Sequence, residues 1–200
     1  MRYGLSEMTD STTSRGGKRE RLVASAGELL HRQGVGATSL ADIAHAADVP
    51  VGNVYYYFKT KDELVQAVIV AQVRQVEAML TTLDALPRPA ERLKALVQRW
   101  EEMSDIVARY GCPFGTLASE LDRRDDGLDI EAAEPIRRIL EWTEEQIRRL
   151  RRRGARELAT ILFAGVQGGA LLANALRDPK VMSGQVRHLE LWIDSLASKP

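Results

Sequence analysis

Residues 38–64, TSLADIAHAADVPVGNVYYYFKTKDEL, leave the backbone little choice. Leu40, Ile43, Ala44 and Ala47 fall at i, i+3, i+4 and i+7, the apolar stripe of one short helix. Thr38 stands where it can cap that helix, because its hydroxyl can accept from the orphan N–H groups of a first turn. Asp48 interrupts the stripe, and Asp tolerates the left-handed backbone that a tight turn needs. Val49 is then the apolar plug of the turn. Pro50, with no N–H to satisfy, suits the start of a second helix. That helix covers 51–58, with Val54 and Phe58 one turn apart and facing a core, and with Val51, Gly52, Asn53 and Tyr55 facing outward. An aromatic cluster and the Lys61-Asp62-Glu63-Leu64 start of a third helix follow at once. Two short helices across a tight turn have the layout of a helix-turn-helix.

An outward face of Gly, Asn and Tyr is a poor choice for a helix that meets only water. It suits a helix that enters a DNA groove: Gly permits close approach, Asn can pair with a base edge, and tyrosyl hydroxyls reach phosphates. Lys59 and Lys61 add positive charge where a phosphate would lie. Thr38, Ile43, Ala44, Ala47, Asp48, Val49, Pro50, Gly52, Tyr55, Tyr57, Phe58, Lys61 and Leu64 together resemble the TetR/AcrR family of transcriptional regulators. Two positions depart from the family's habit: Asp48 stands at the usual turn Gly, and Pro50 at the usual Ser. Both suit their places. Upstream, KRERLVASAGELLHRQGVGA over 18–37 looks like the family's first helix. The resemblance implies that Val51, Gly52, Asn53 and Tyr55 meet bases or the groove wall. It further implies that Thr38, Tyr56 and Lys61 hold phosphates, and that Arg19 assists from the first helix.

The rest of the 200 residues reads as helices, over 61–85, 89–109, 114–121, 129–153, 155–176 and 181–197, with no hairpin signal and no internal repeat. The expected fold is therefore all-α. A flexible arm over 1–17 precedes a three-helix DNA-binding domain over 18–62 and a larger helical effector-binding and dimerisation domain over 63–200. No run of 18 apolar residues marks a membrane span, the N-terminus lacks the apolar core of a secretory signal, and the lone cysteine fits a reducing cytoplasm. Formal net charge is zero, so nucleic acid is not expected to coat the whole surface. Positive charge is local instead, with Arg15, Lys18, Arg19 and Arg21 clustered where the family places an arm near DNA.

Residues 159–176, ATILFAGVQGGALLANAL, are almost uncharged, and Ala164, Gly165, Gly168 and Gly169 would let another helix approach closely. TetR-like proteins dimerise through their last two long helices, which implies a homodimer through 155–197 and two reading helices for a pseudo-palindromic operator. The family also encloses a small-molecule cavity in its larger domain. Trp100, Met103, Tyr110, Cys112, Phe114, Leu117, Trp142, Phe163 and Gln167 are the candidate lining, suited to a hydrophobic effector, although such residues at helical spacing also serve as ordinary core. Gly111-Cys112-Pro113-Phe114-Gly115-Thr116-Leu117-Ala118-Ser119-Glu120-Leu121 resembles an element of a TetR branch in which some members sense electrophiles or oxidants. Cys112 is therefore either a redox switch on the same scaffold or a small buried residue at a helix start. The run from Arg148 to Arg156 suits a helix C-terminus. No catalytic constellation, phosphate loop, cofactor motif or metal-ligand spacing is present, so an enzyme is not expected. An enzyme or helical adaptor with an idle N-terminal motif would leave the tyrosine-rich outward face of 51–57 unexplained.

Overall fold

A computed structural model describes residues 17–198, and every regular element among them is an α-helix, as the sequence implies. The arm expected over 1–17, Arg15 included, lies outside the described residues apart from Gly17. The described residues form two compact units, one from 17–72 and 116–132, the other from 73–115 and 133–198.

The first unit contains α1 (Lys18–Gln33), α2 (Leu40–Ala46), α3 (Val51–Tyr57), the first half of α4 (Lys61–Asp84), the end of α7 (Pro113–Leu121) and α8 (Leu128–Ala132). Leu22, Ala26 and Leu30 recur every four residues along one side of α1 and are buried. Ile43 and Ala44 of α2, Val54 of α3, and Leu64, Val65, Val68 and Ile69 of α4 close on them. Leu117, Leu121 and Leu128 complete the same core from the middle of the sequence. Each fully buried Leu or Ile contributes about 1.5–3 kcal/mol relative to exposure, so this cluster outweighs any surface ion pair in the unit. The polar ties give register. Arg124 donates to both oxygens of Asp62, at 2.9 and 2.7 Å, and also to Asp126, while Gln66 donates to Glu131 at 2.9 Å.

The second unit contains the rest of α4, α5 (Pro89–Glu102), α6 (Ser104–Tyr110), the start of α7, α9 (Glu134–Arg149), α10 (Ala155–Leu176) and α11 (Pro179–Ser198). Leu93, Leu96, Val97 and Trp100 of α5, Ile139 and Ile147 of α9, Leu162, Phe163 and Val166 of α10, and Met182, Val186 and Ile193 of α11 form its core. A Cβ on Gly165 would stand 2.9 Å from Leu189, and one on Gly169 2.9 Å from Gln185, so these two glycines admit α11 of the same chain. Gly168 and Ala164 lie on the opposite, exposed side of α10.

Several boundaries differ from the sequence reading. The helix expected over 89–109 breaks at Met103 (φ −101°, ψ 13°) into α5 and α6. The helix expected over 129–153 breaks at Ala133, because Pro135 supplies no N–H to continue from α8, and it ends at Arg149 before Arg151 turns left-handed (φ 57°). Pro113 opens α7 and Pro179 opens α11, each a residue or two earlier than expected. The cap of α2 is Ser39 rather than Thr38: Asp42 N–H donates to Ser39 Oγ at 3.1 Å and Ser39 N–H returns a bond to Asp42 Oδ2 at 2.9 Å, a reciprocal capping box.

The Arg124 network predicts acid sensitivity. Hydrogen bonds from the Arg124 guanidinium hold the carboxyls of Asp62 and Asp126 below the ordinary aspartate range, against a smaller opposing effect of desolvation. A carboxyl depressed in the folded state stabilises the fold above its unfolded pKa, about 3.9, and that contribution is lost as pH falls through the folded value. Urea unfolding followed from pH 6 downward should therefore lose stability below about pH 4. Arg124→Gln should flatten that decline; an identical acid limb in the variant would show the network to be inconsequential.

Candidate nucleic-acid interface

The reading geometry is set at the turn between α2 and α3. Asp48 adopts the left-handed backbone that the turn demands (φ 51°), with its N–H donating to His45 O at 3.2 Å. Val49 is buried as the plug, and its N–H donates to Ala44 O at 3.0 Å. Pro50 stands one residue earlier than the first helical turn, as the N-cap of α3. Two carbonyls of the turn itself are met from α1: Arg21 Nε donates to Ala47 O at 3.1 Å and its Nη2 to Asp48 O at 3.3 Å. Arg21, expected from the sequence to belong to a basic patch near DNA, thus turns toward the motif itself. Periodicity carries no signal for this, because the carbonyls it meets are 26 and 27 residues away.

On this frame α3 presents one continuous outward face. Val54 and Phe58 are buried, as their spacing requires. Tyr56 is 78% exposed and Tyr55 51%, Val51 and Gly52 are exposed, and no atom lies within 4 Å of a Cβ built on Gly52. Asn53 is half-buried at the edge of that face. Tyr56 and Tyr57 meet edge to face with ring centroids 5.0 Å apart. Lys59 Nζ donates to Tyr55 O at 2.7 Å and so caps the end of α3, a role beyond the charge read from sequence. Arg19 sits on the exposed start of α1 with its guanidinium 5.2 Å from the centroid of the Phe58 ring.

Two candidates face inward. Thr38 is 1% exposed and its hydroxyl donates to Gly34 O at 2.6 Å. Lys61 is half-buried, and its ammonium donates to Val35 O at 2.5 Å and Thr38 O at 2.9 Å. Both fix the loop between α1 and α2. Of the eight residues expected to meet DNA, Val51, Gly52, Asn53, Tyr55 and Tyr56 therefore share α3 and Arg19 lies on α1, while Thr38 and Lys61 are committed to carbonyls beneath the surface.

Within the second unit, Trp100 and Phe163 pack edge to face at 5.6 Å between centroids, with Cys112 in the same core and Met103, Phe114 and Trp142 packed against it. Trp142 Nε1 donates to Asp84 at 3.1 Å, and the Arg109 guanidinium lies 5.2 Å from the Tyr110 ring centroid. Gln167 Nε2 donates to Cys112 Sγ at 3.4 Å. Leu117 is buried in the core of the first unit instead. Trp100 is 1% exposed, yet its indole N–H has no hydrogen-bond acceptor, a condition that costs about 1–3 kcal/mol. Cys112 is 4% exposed; a sensing thiol has to be reached by its reagent, so this closed position does not favour the redox reading. No group of three or more His, Cys, Asp or Glu among the described residues could hold a metal ion. By length and composition α10 could cross a bilayer, but α11, α9 and α6 pack on it within the unit.

Residues 22–68 match the family described as bacterial regulatory proteins, tetR family, and residues 89–189 match a tetracyclin repressor-like C-terminal domain. Over 179 residues the chain is 27% identical to an uncharacterized HTH-type transcriptional regulator, YxaF, of Bacillus subtilis, covering 83% of this chain and 90% of that one. It is also 27% identical over 168 residues to the HTH-type transcriptional regulator LmrA of the same organism, covering 80% of this chain and 88% of the relative. Among solved structures, a TetR transcriptional regulator from Legionella pneumophila superposes with a TM-score of 0.79 at 23% identity, over 90% of this chain and 97% of that one. A TetR-family regulator from Agrobacterium tumefaciens superposes at 0.78 with 25% identity, over 88% and 96%.

The turn yields a stability prediction. A β-branched residue at position 48 must take up a left-handed backbone that Asp accepts, so Asp48→Val should lower the unfolding free energy by about 1–2 kcal/mol in urea titration. A loss within error would show that the turn relaxes to another conformation without cost.

Proposed function

The chain belongs to the tetR family of bacterial regulatory proteins and is a helix-turn-helix DNA-binding transcriptional regulator; on that premise we propose that it acts as a homodimeric repressor released from its operator by a small hydrophobic effector. The observation that carries the reading is the outward face of α3, where Val51, Gly52, Tyr55 and Tyr56 stand exposed around the half-buried Asn53. An aromatic face of this kind is costly in water and productive in a major groove, where Asn53 would read a base edge and the Tyr56 hydroxyl would hold a phosphate. Val51, Gly52 and Tyr55 would line the groove wall, with Arg19 assisting from α1. Thr38 and Lys61 would serve the phosphate grip indirectly, by holding the start of α2 in place. Such a regulator would work in the cytoplasm, where its DNA is.

Binding of the purified protein to the DNA immediately upstream of its own gene, by gel shift across a salt series, tests this directly. A specific complex that weakens steeply with salt is expected. Tyr56→Phe should weaken binding on every sequence, whereas Asn53→Ala should change the preference among operator variants by about 1–3 kcal/mol at one base pair. Equal loss on all sequences for Asn53→Ala would defeat its role as a base reader. Failure to bind any sequence in an unbiased genomic selection would defeat the regulator reading.

Dimerisation is supported by α10, on which Ile161, Leu171, Leu172 and Leu176 are each more than half exposed, with Leu191 exposed on α11. Small residues Ala164 and Gly168 lie among them. An apolar stripe of this length on a surface helix marks an interaction site, and a two-fold partner offering the same stripe would cover it. Leu171→Glu with Leu172→Glu should convert the dimer to a monomer in analytical ultracentrifugation and abolish tight operator binding; a variant that still sediments as a dimer would move the interface elsewhere. The effector reading is supported by the Trp100–Phe163 core, where an apolar ligand carrying one acceptor could satisfy the orphaned indole N–H.

A further inference from the structure

The helix-turn-helix is held partly by a side chain with no local relation to it. Glu120 lies on α7, in the same compact unit as α1–α3. Its carboxylate accepts from the N–H groups of Val35 and Gly36, both at 2.8 Å, across 85 and 84 residues of sequence. Neither amide belongs to a helix, so neither has an intrahelical acceptor. The carbonyls of the same loop, at Val35 and Thr38, accept from Lys61. The loop that feeds α2 is thus fixed from both polarities of its backbone, by an anion from α7 and a cation from α4.

Gly34 is fitted to this contact in two ways. Its φ of 83° is left-handed, and a Cβ there would lie 3.0 Å from Glu120 Oε2. On α7, Leu117 and Leu121 flank Glu120 and are buried in the first unit's core, so the helix carrying the carboxylate is itself anchored. Glu120 remains exposed. An exposed carboxylate in a unit that approaches DNA is repulsive by Coulomb's law, so its charge alone opposes the function proposed above.

We infer that Glu120 is a positioning residue for DNA binding: its carboxylate fixes the α1–α2 loop, and through it the entry angle of α2 and of α3 packed on α2, without touching DNA. The inference rests on the DNA-binding reading above. Without the carboxylate the two amides turn to water, the loop samples other conformations, and the apparent affinity falls with the fraction of molecules whose reader is correctly set.

Glu120→Gln tests this, because it keeps the shape and one acceptor while removing the second acceptor and the charge. Binding is compared with the unsubstituted protein on the upstream fragment and on an unrelated duplex at low salt. A purely electrostatic role predicts tighter binding of Glu120→Gln on both. Positioning predicts the opposite sign, about tenfold weaker binding on the upstream fragment with an unchanged salt slope, since no phosphate contact is lost. Amide exchange at Val35 and Gly36 should accelerate while Ile43 and Val54 keep their protection. Glu120→Asp, which retains charge but not reach, should weaken binding similarly. Equal or tighter binding by Glu120→Gln overturns the inference, as does loss of protection throughout α2 and α3, which would make Glu120 a general stability residue. If the unsubstituted protein retains neither duplex, the regulator reading fails instead, and unchanged exchange at Val35 and Gly36 in Glu120→Gln would still overturn the contact.

Discussion

Helices of seven residues do not stand alone in water, because the first hydrogen-bonded turn is costly and few bonds follow to offset it. Both helices of the reading motif have that length. Their existence therefore depends on burying Ile43, Ala44 and Val54 against a core that neither helix supplies. Leu22, Ala26 and Leu30 come from one side, Leu64, Val65, Val68 and Ile69 from another, and Leu117, Leu121 and Leu128 from the middle of the chain. That shared burial is the constraint behind everything else in the unit. It decides which face of α3 is left outward, and hence which of its residues stand exposed.

Apolar burial does not fix orientation to the accuracy that a groove requires, and here the polar backbone groups at the helix ends supply the rest. The two loops of the motif have backbone carbonyls or amides met by charged side chains from elsewhere, Arg21 at the α2–α3 turn and Lys61 and Glu120 at the α1–α2 loop, while Lys59 meets the end of α3 from the residues that follow it. Charge-assisted bonds of this kind are stronger than neutral ones, and their geometry is narrow. Several basic residues near the motif are consequently occupied within the protein, and the outward surface is left to tyrosines and small residues.

The second unit follows different logic. In α10 one set of small residues, Gly165 and Gly169, admits α11 of the same chain, while the opposite side carries exposed leucines around Gly168. This helix is apolar on both sides, with one face covered by its own fold and one left exposed. Trp100, packed against Phe163 with its N–H unanswered, is the corresponding incompleteness in the interior.

The sequence by itself determined the helical class, the limits of α2, α3 and α4 to within a residue or two, the plug at Val49, the left-handed Asp48 and the outward placing of Val51, Gly52 and Tyr55, though Asn53 lies half-buried and Tyr56 is the more exposed. All of these follow from local periodicity and turn chemistry, which act over a few residues. It misassigned the α2 cap by one residue, since Thr38 and Ser39 have nearly the same local chemistry and only the reciprocal bond with Asp42 separates them. The breaks at Met103 and Ala133 escaped because the apolar pattern runs through them. Only the tertiary structure decided that Thr38 and Lys61 face inward, that Arg21 clamps the turn, that Leu117 joins the first core, and that Glu120 holds a loop 85 residues away. A hydrogen bond between distant residues leaves no period in a sequence. It exists only once the core has brought its two ends within 3 Å of each other.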